Sequence, residues 1–513
     1  MSRTAARGLA LLPLAALLAL AAGCSRGPRQ AGAVVELPSA SPVVALRASF
    51  HAGSIHDPPG KEGLSALTAR LMVEGGTKDL SYRELLARLY PLAGTITAVA
   101  DKELVTIAGE VPAGHVAEFY PLFRDVLVAP RWDASDFERV RANMLSYLQT
   151  TLRSSDDEML ARRTLELMLF EDHPYGHLAE GTVAGLRAIT LADVRAFHAA
   201  QFRAANAVVG VAGAYPDELP DALDGDLATL PEGAPEDTEL IAPARVGATE
   251  IAIVEKPGAG TTIAFGFPVD VRRGDVDYYP LLLATSWLGE HRTPYGRLFQ
   301  ELREERGLNY GDYAYLEHFQ EEPGTRFPQA GRPRRYQYFS VWIRPVGDAA
   351  RVFALKAALR ELDRLVGHGI PEDELAAQAE FLRNSSRLVA QGPSRRLGFA
   401  FDDLFYGVGD SLRRLDDGLA RVTRDQLVAA LARHIRPDHV KIAIVTERGE
   451  ELRQQLLSGQ ALPIEYPDGG PAELAERDRE YAAWPIVVTA PLVHVVRAEE
   501  LFQTATLPWH RRR

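Results

Sequence analysis

A chain of 513 residues is long enough for two to four domains rather than one. Its 46% hydrophobic and 25% charged residues are those of an ordinary globular protein and exclude extended disorder. The net charge of −12 argues against nucleic acid or an anionic membrane surface as the main partner, because phosphate binding needs a surplus of lysine and arginine.

The first residues read as an address. Arg3 and Arg7 make a positive start, and Leu9 to Ala22 form an apolar stretch too short for a comfortable membrane span. The stretch ends Ala21-Ala22-Gly23-Cys24, which resembles a bacterial lipoprotein box with Cys24 as the lipidated first residue of the mature chain. On that reading residues 1–23 are a signal peptide, and the protein hangs by lipid from the inner or outer membrane and faces the periplasm. A plain secretory signal cleaved nearby is the alternative. Cys24 is the only cysteine, so no disulfide can form within the chain. Residues 24–42 read as a loose tether.

Val43–Phe50 (VVALRASF) has the partial alternation of a strand. Gly60–Thr77 (GKEGLSALTARLMVEGGT) reads as a helix between glycines, with an apolar face at Leu64, Leu67, Leu71 and Met72. A helix from near Ser81 stops at Gly94, and a strand pair follows, TITAVAD and ELVTIAGEV. Long helical patterns cover His115–Leu127 and Asp136–Arg153, and the strand AVVGVAG ends at Gly213. These elements make residues 43–218 one domain. Residues 219–245, rich in Pro, Asp, Glu and Gly, read as a linker.

Residues 246–448 repeat that order. Strands IAIVEK and TTIAFGFP precede a helix at Tyr278–Leu288, and a second helix runs from about Tyr295 to Arg306, stopped by Gly307. Strands at Asn309–Tyr315 and Tyr336–Val346 lead into helices at Ala349–Gly367 and Glu372–Ala390. The repetition predicts a duplicated α+β unit. Residues 449–513 are a C-terminal extension with short strands, PIVV and HVVRA, and no readable motif.

Several landmarks together resemble the pitrilysin/insulinase (M16) family of zinc peptidases, which includes mitochondrial processing peptidase. They are AGS at Ala52–Ser54, PGKEGL leading into the helix, EGGT after it, HPYG at His173–Gly176, then EGT, Leu186–Thr190 and Phe197, and GRLFQELREERGLNY in the second half. The resemblance spans about Val43 to Glu447. It implies two duplicated M16-like (LuxS/MPP-like) domains, each a mostly antiparallel sheet packed with helices.

Active members of the family carry His-x-x-Glu-His on the first motif helix. Two histidines four apart share a helical face and reach one zinc, and the glutamate between them is general base for the attacking water. A more distant glutamate completes the site. This sequence puts Ala66 and Arg70 at the histidine positions, Ala69 at the base and Tyr147 at the distant ligand. Alanine offers a metal nothing, and arginine is a fixed cation that repels it. No metal is therefore expected on this chain. Other histidines read as surface or satisfied core residues: His173 and His177 are four apart, but Pro174 and Gly176 between them disfavour a helix, His51 and His56 flank a loop, and Glu290-His291 has no upstream histidine at the right spacing.

The resemblance implies a second feature. Arg303 and Tyr310, as Arg-x6-Tyr, match the family pair that holds substrate peptide opposite the metal. Tyr310 can donate to a peptide carbonyl or the oxyanion formed there, and Arg303 is a fixed donor fork. The alternative is a solvated helix face with ion pairs, and a half-buried strand tyrosine. In the family some members work as two chains, one with the zinc motif and one with Arg/Tyr. This chain is similar to the second kind: inactive alone, with zinc expected on a partner that retains His-x-x-Glu-His, and a peptide bound as an added strand. A stand-alone peptide-binding or assembly module, and a zinc peptidase with rebuilt ligands, are the other readings. Two further segments invite notice. Gly331–Phe339 (GRPRRYQYF) is either a contact for an acidic partner or a loop entering a strand, and Asp402-Asp403 read as structural or capping acids.

Overall fold

The computed structural model describes residues 34–235, 238–320, 328–466 and 470–511. Cys24 and the signal peptide lie outside the described residues. Two sheets of one design organise the chain. The first contains β1 (Val34–Pro38), β2 (Val43–Phe50), β3 (Thr95–Ala100), β4 (Val105–Pro112) and β5 (Ala207–Gly213), in the order β1-β5-β2-β4-β3. The second contains β6 (Glu250–Glu255), β7 (Thr261–Val269), β8 (Asp312–Tyr315), β9 (Gln337–Val346), β10 (Lys441–Thr446) and β11 (Val493–Arg497), in the order β11-β6-β10-β7-β9-β8. Apart from β11 the sheets match strand for strand. β1–β5 and β6–β10 pair in parallel, and the other three pairs of each set are antiparallel. The duplicated α+β unit expected from element order is thus the architecture.

In the first half, α1 (Leu64–Glu74) buries the expected Leu64, Leu67, Leu71 and Met72. Gly63 opens it at φ 104°, and a Cβ there would stand 2.9 Å from Gly181 Cα, so only glycine fits. Ser81 and Glu84 form a capping box for α2 (Tyr82–Leu89). After α3 (Val116–Val128), the expected long helix is α4 (Ala134–Ser146) continued as a π-helix over Tyr147–Ser155. Next comes α5 (Asp157–Leu169), buried at every position from Leu160 to Leu169.

The halves exchange helices. α5 of the first half packs on β7, β9 and β10, and the helix Pro393–Tyr406 of the second packs on β1, β2 and β5, with Leu397 and Phe401 against Ala45 and Ala212. Buried charge joins them as well. Arg334, 1% exposed, bonds Asp101 through Nε (2.9 Å) and a terminal nitrogen (2.5 Å), and Glu166 through the other (2.8 Å). Glu166 also faces Lys102 (3.4 Å) and Arg163 (2.9 Å). The neighbouring Arg335 pairs with Glu103 (2.5 Å). The Arg-rich stretch 331–339 therefore finds its acidic partners inside the chain. Asp402 has the structural role expected of it: it accepts from Arg273 (2.9 Å) and the Gly331 amide, and burial pushes its carboxyl up to about 6.

Four expected segment readings need correction. Residues 24–42 are not wholly a tether, because Val34–Pro38 is the edge strand β1, paired with β5. Within 219–245, Leu219–Leu227 is a helix with Pro220 in its first turn. Leu219, Leu223 and Leu227 are buried on one face, so the linker starts later. The C-terminal extension belongs to the second sheet through β11, and its HVVR is a strand while PIVV is not. Beyond β11, the carbonyls of Phe502 and Gln503 accept from the Val183 and Ala184 amides (2.9 Å each), tying the tail to the first half. The helix expected from Tyr295 is short and winds as a π-helix over Phe299–Glu304. Among the described residues no helix is long and apolar enough to cross a membrane.

Candidate functional site

The motif helix α1 lies on β3, an edge strand of the first sheet. Ala66 and Ala69 face inward, 5% and 1% exposed, and are part of the core. Arg70, the next residue, is only partly buried and lines a groove of about 720 Å³ bounded by α1, α2 and β3. Glu74, Tyr82, Leu86 and Tyr90 complete the side walls, and Thr95–Ala98 of β3 form an edge. Tyr90 is 88% exposed and Leu86 46%. Among the described residues β3 pairs with β4 alone, so its other edge is open in the sheet.

Tyr147 begins the π-helix. Burial pushes its phenol up and Glu180 adds to the rise, while Arg163 and Arg70 oppose it. Arg70 and Tyr147 are therefore electrostatic neighbours. The residues do not fit zinc. Two side chains carry no donor atom, one is a permanent cation, and the fourth is a phenol whose raised pKa keeps it protonated. Glu180, the carboxylate that bears most on Tyr147, is held by Arg163 (2.9 Å). Among the described residues no group of three or more His, Cys, Asp or Glu side chains is gathered as a metal would need.

The other histidines are engaged elsewhere. His173 Nε2 lies 2.8 Å from the Ile241 carbonyl, His177 Nε2 3.2 Å from Asp57, and His291 Nδ1 2.6 Å from the Tyr315 hydroxyl. His51 stacks on Phe405, and His56 Nδ1 meets the Gly53 carbonyl at 3.2 Å.

In the second half, Arg303 lies on the π-helical turn and Tyr310 on the loop before β8. Tyr310 is 78% exposed. Arg303, its side chain 39% exposed, pairs with the adjacent Glu304 and stacks over Phe299 at 5.2 Å. No hydrogen bond joins Arg303 to Tyr310, and the ion-paired surface face describes Arg303 well in this state. The loop under Tyr310 is built rigidly. Asn309 Nδ2 donates to Asp312 (2.7 Å), and its carbonyl oxygen accepts from the Gly311 amide (3.2 Å). Burial pushes the Asp312 carboxyl well above the usual range, against the Asn309 hydrogen bond and Arg344. Below the turn, Arg306, Arg297 and Tyr481 converge on buried Glu301 and Glu361, and Arg477 of the extension reaches Glu301 at 2.8 Å.

Sequence reasoning missed the groove and these supports. The edge TITAVA carried a signal, since its alternation leaves Thr95 and Thr97 exposed while Ile96 is half-buried.

Residues 34–177 match the family described as insulinase (peptidase family M16), and residues 188–382 the one described as peptidase M16 inactive domain. An uncharacterised zinc protease of Mycobacterium tuberculosis is 25% identical over 371 residues, 71% of this chain and 80% of that protein. A non-peptidase homologue of Helicobacter pylori, YmxG, is 26% identical over 193 residues, 37% of this chain and 44% of that protein. A solved peptidase M16 inactive domain from Pseudomonas fluorescens shares the fold, with a TM-score of 0.69 at 23% identity over 80% of this chain and 94% of that one. The chain belongs to peptidase family M16, as a non-catalytic member.

Proposed function

We propose that this chain is the peptide-binding, Arg/Tyr-bearing subunit of a two-chain metallopeptidase whose zinc sits on a companion of the same family. The reading is carried by a division among the residues. Ala66, Ala69, Arg70 and Tyr147 cannot hold a metal, while Tyr310 is presented to solvent on a braced turn beside Arg303. The metal on the companion would supply an activated water. Tyr310 would donate its phenolic proton in a hydrogen bond to the scissile carbonyl oxygen and strengthen that bond as charge develops there. Arg303 would leave its loose pairing with Glu304 to hold a neighbouring peptide carbonyl. The groove along β3 supports peptide binding in this chain's own right, since an extended peptide can add to the open edge. Lipidation at Cys24 would hold the assembly at the cell envelope, facing the periplasm.

The test is hydrolysis of a peptide library with added zinc, by this chain alone and mixed with a family member that retains His-x-x-Glu-His. Silence alone and activity in the mixture, abolished by Tyr310→Phe or Arg303→Ala, is the expected result. Chelator-sensitive activity of this chain alone overturns it. Silence in both, with peptide binding retained, favours the second reading, a stand-alone peptide-binding module. The groove lends that reading weight, because it needs no companion to be complete.

A further inference from the structure

Given a peptide-binding role for the β3 groove, we propose that it selects extended peptides bearing a carboxylate, which Arg70 binds. Arg70 and Glu74 are the charged residues lining the groove. Four apart on α1, they are spaced for an intrahelical ion pair. That pair is not made among the described residues, and Glu74 is engaged by Arg139 instead. Arg139 approaches its carboxylate at 3.4 Å and donates to its main-chain carbonyl. Arg139 is itself fixed by Asp136 (3.0 Å) and by stacking on Tyr82 at 5.0 Å. Arg70 makes no hydrogen bond or ion pair among the described residues. In a chain with 69 acidic and 57 basic residues, carboxylates are in surplus. A groove-facing arginine left unpaired there is a vacancy for an anion.

The open edge says what carries the anion. A peptide added to β3 has its main chain fixed in register, and its alternate side chains point to the face on which α1 and α2 stand. Only a carboxylate at one of those alternate positions, or at the peptide's C-terminus, lies within reach of a side chain on α1. A guanidinium suits either source, since it grips a carboxylate with two parallel N–H bonds. Where the family's active members place a metal ligand, this chain thus places a cation that can hold an anion and cannot activate water.

The experiment measures fluorescence anisotropy of labelled heptapeptides, rich in β-branched residues, with the full-length mature chain. One set is neutral and C-terminally amidated, one carries a single glutamate moved along the amidated peptide, and one has a free C-terminal carboxylate without glutamate. The expected result is roughly tenfold to hundredfold tighter binding of a carboxylate-bearing peptide than of the neutral one. For glutamate the gain recurs at alternate positions. Arg70→Gln removes the gain, and Arg70→Lys, which keeps charge without the fork, keeps part of it. Gain only with the glutamate set identifies a side-chain carboxylate, and gain only with the free terminus identifies the C-terminal one. Equal binding of neutral and acidic peptides, unchanged by Arg70→Gln, overturns the selection and leaves the groove as a peptide site. Failure of every peptide to bind overturns the peptide reading itself, and the selection with it.

Discussion

Replacing Arg334 by methionine tests what joins the two halves. The side chain is 1% exposed and fills its donors with Asp101 and Glu166 of the first half. After substitution Glu166 keeps Lys102 and Arg163. Asp101 loses its direct cationic partner and stays buried. The nearby His318 is no substitute, because burial alone holds its imidazole below its ordinary pKa. Removing one partner of a buried pair costs about 3–5 kcal/mol. A second route gives the same size: the stranded Asp101 will take up a proton, and neutralising a carboxyl of ordinary pKa ~3.9 at pH 7 costs about 4 kcal/mol.

The pH dependence separates this account from lost packing. In the native protein Asp101 is buried, which alone would raise its pKa, but Arg334 holds it far below the usual range. Its stabilising contribution is therefore present above the unfolded pKa near ~3.9 and is lost as pH falls toward the folded value. In Arg334→Met the shift reverses, so the variant suffers most at high pH. The gap between the two proteins should fall from about 4 kcal/mol at pH 7 to about 1.5 kcal/mol at pH 5. Urea unfolding followed by tryptophan fluorescence at both pH values measures it, and Asp101→Asn added to the variant should recover much of the loss. A deficit below about 1 kcal/mol at pH 7, or one equal at the two pH values, refutes the reasoning.

Other outcomes follow from the same structure. Tyr310→Phe and Arg303→Ala should each leave thermal stability within about 0.5 kcal/mol of the parent, because both side chains are exposed; a larger loss in a melting experiment would give the pair a folding role. Removing residues 490–513 takes away β11 and bares β6, whose Ile251 and Ile253 are fully buried, so light scattering should detect association of the shortened chain. Dialysed against zinc and then buffer, the purified protein should retain far less than one equivalent by elemental analysis, whereas stoichiometric metal would expose ligands outside the four substituted positions.

What the sequence made legible was local. The apolar face of α1, the start of α2 near Ser81 and the runs of β2 to β9 depend on residues a few positions apart, and they lie where spacing placed them, whereas β10 was not read. The assignment of Ala66, Ala69, Arg70 and Tyr147 to metal-site positions rests on comparison with one motif. What was hidden depends on distant partners. β1 is five residues whose pairing partner begins at Val209, so its own composition says little. Arg334 reads as one of several loop arginines until Asp101 and Glu166 are brought to it. The helix Leu219–Leu227 had its buried leucines at four-residue spacing, but prolines, aspartates and glycine around them looked like a linker. The groove was hidden for a further reason: it depends on which strand lies at the edge, a property of the sheet and not of any segment.

The matched sheets also differ where it matters for binding. β3 alternates between exposed and half-buried residues, while its counterpart β8 is buried at all four positions under the helix Tyr278–Gly289 and the π-helical turn. Of the two edge strands β3 is thus the one with exposed side chains. Strand addition relies on main-chain N–H and C=O groups, which substitutions on α1 do not touch. Metal chemistry relies on three side chains and a base, and four substitutions suffice to cancel it. The two capacities would be carried by different atoms of the same element pair, so on the proposed reading hydrolysis can be absent from α1 while the edge of β3 holds a peptide. Arg70 is where they meet: a position whose side chain belongs to the metal site in active relatives and to the groove wall here. Exchanging it should move peptide preference and leave the edge itself unaltered, which is the separation that the Arg70→Gln measurement reads.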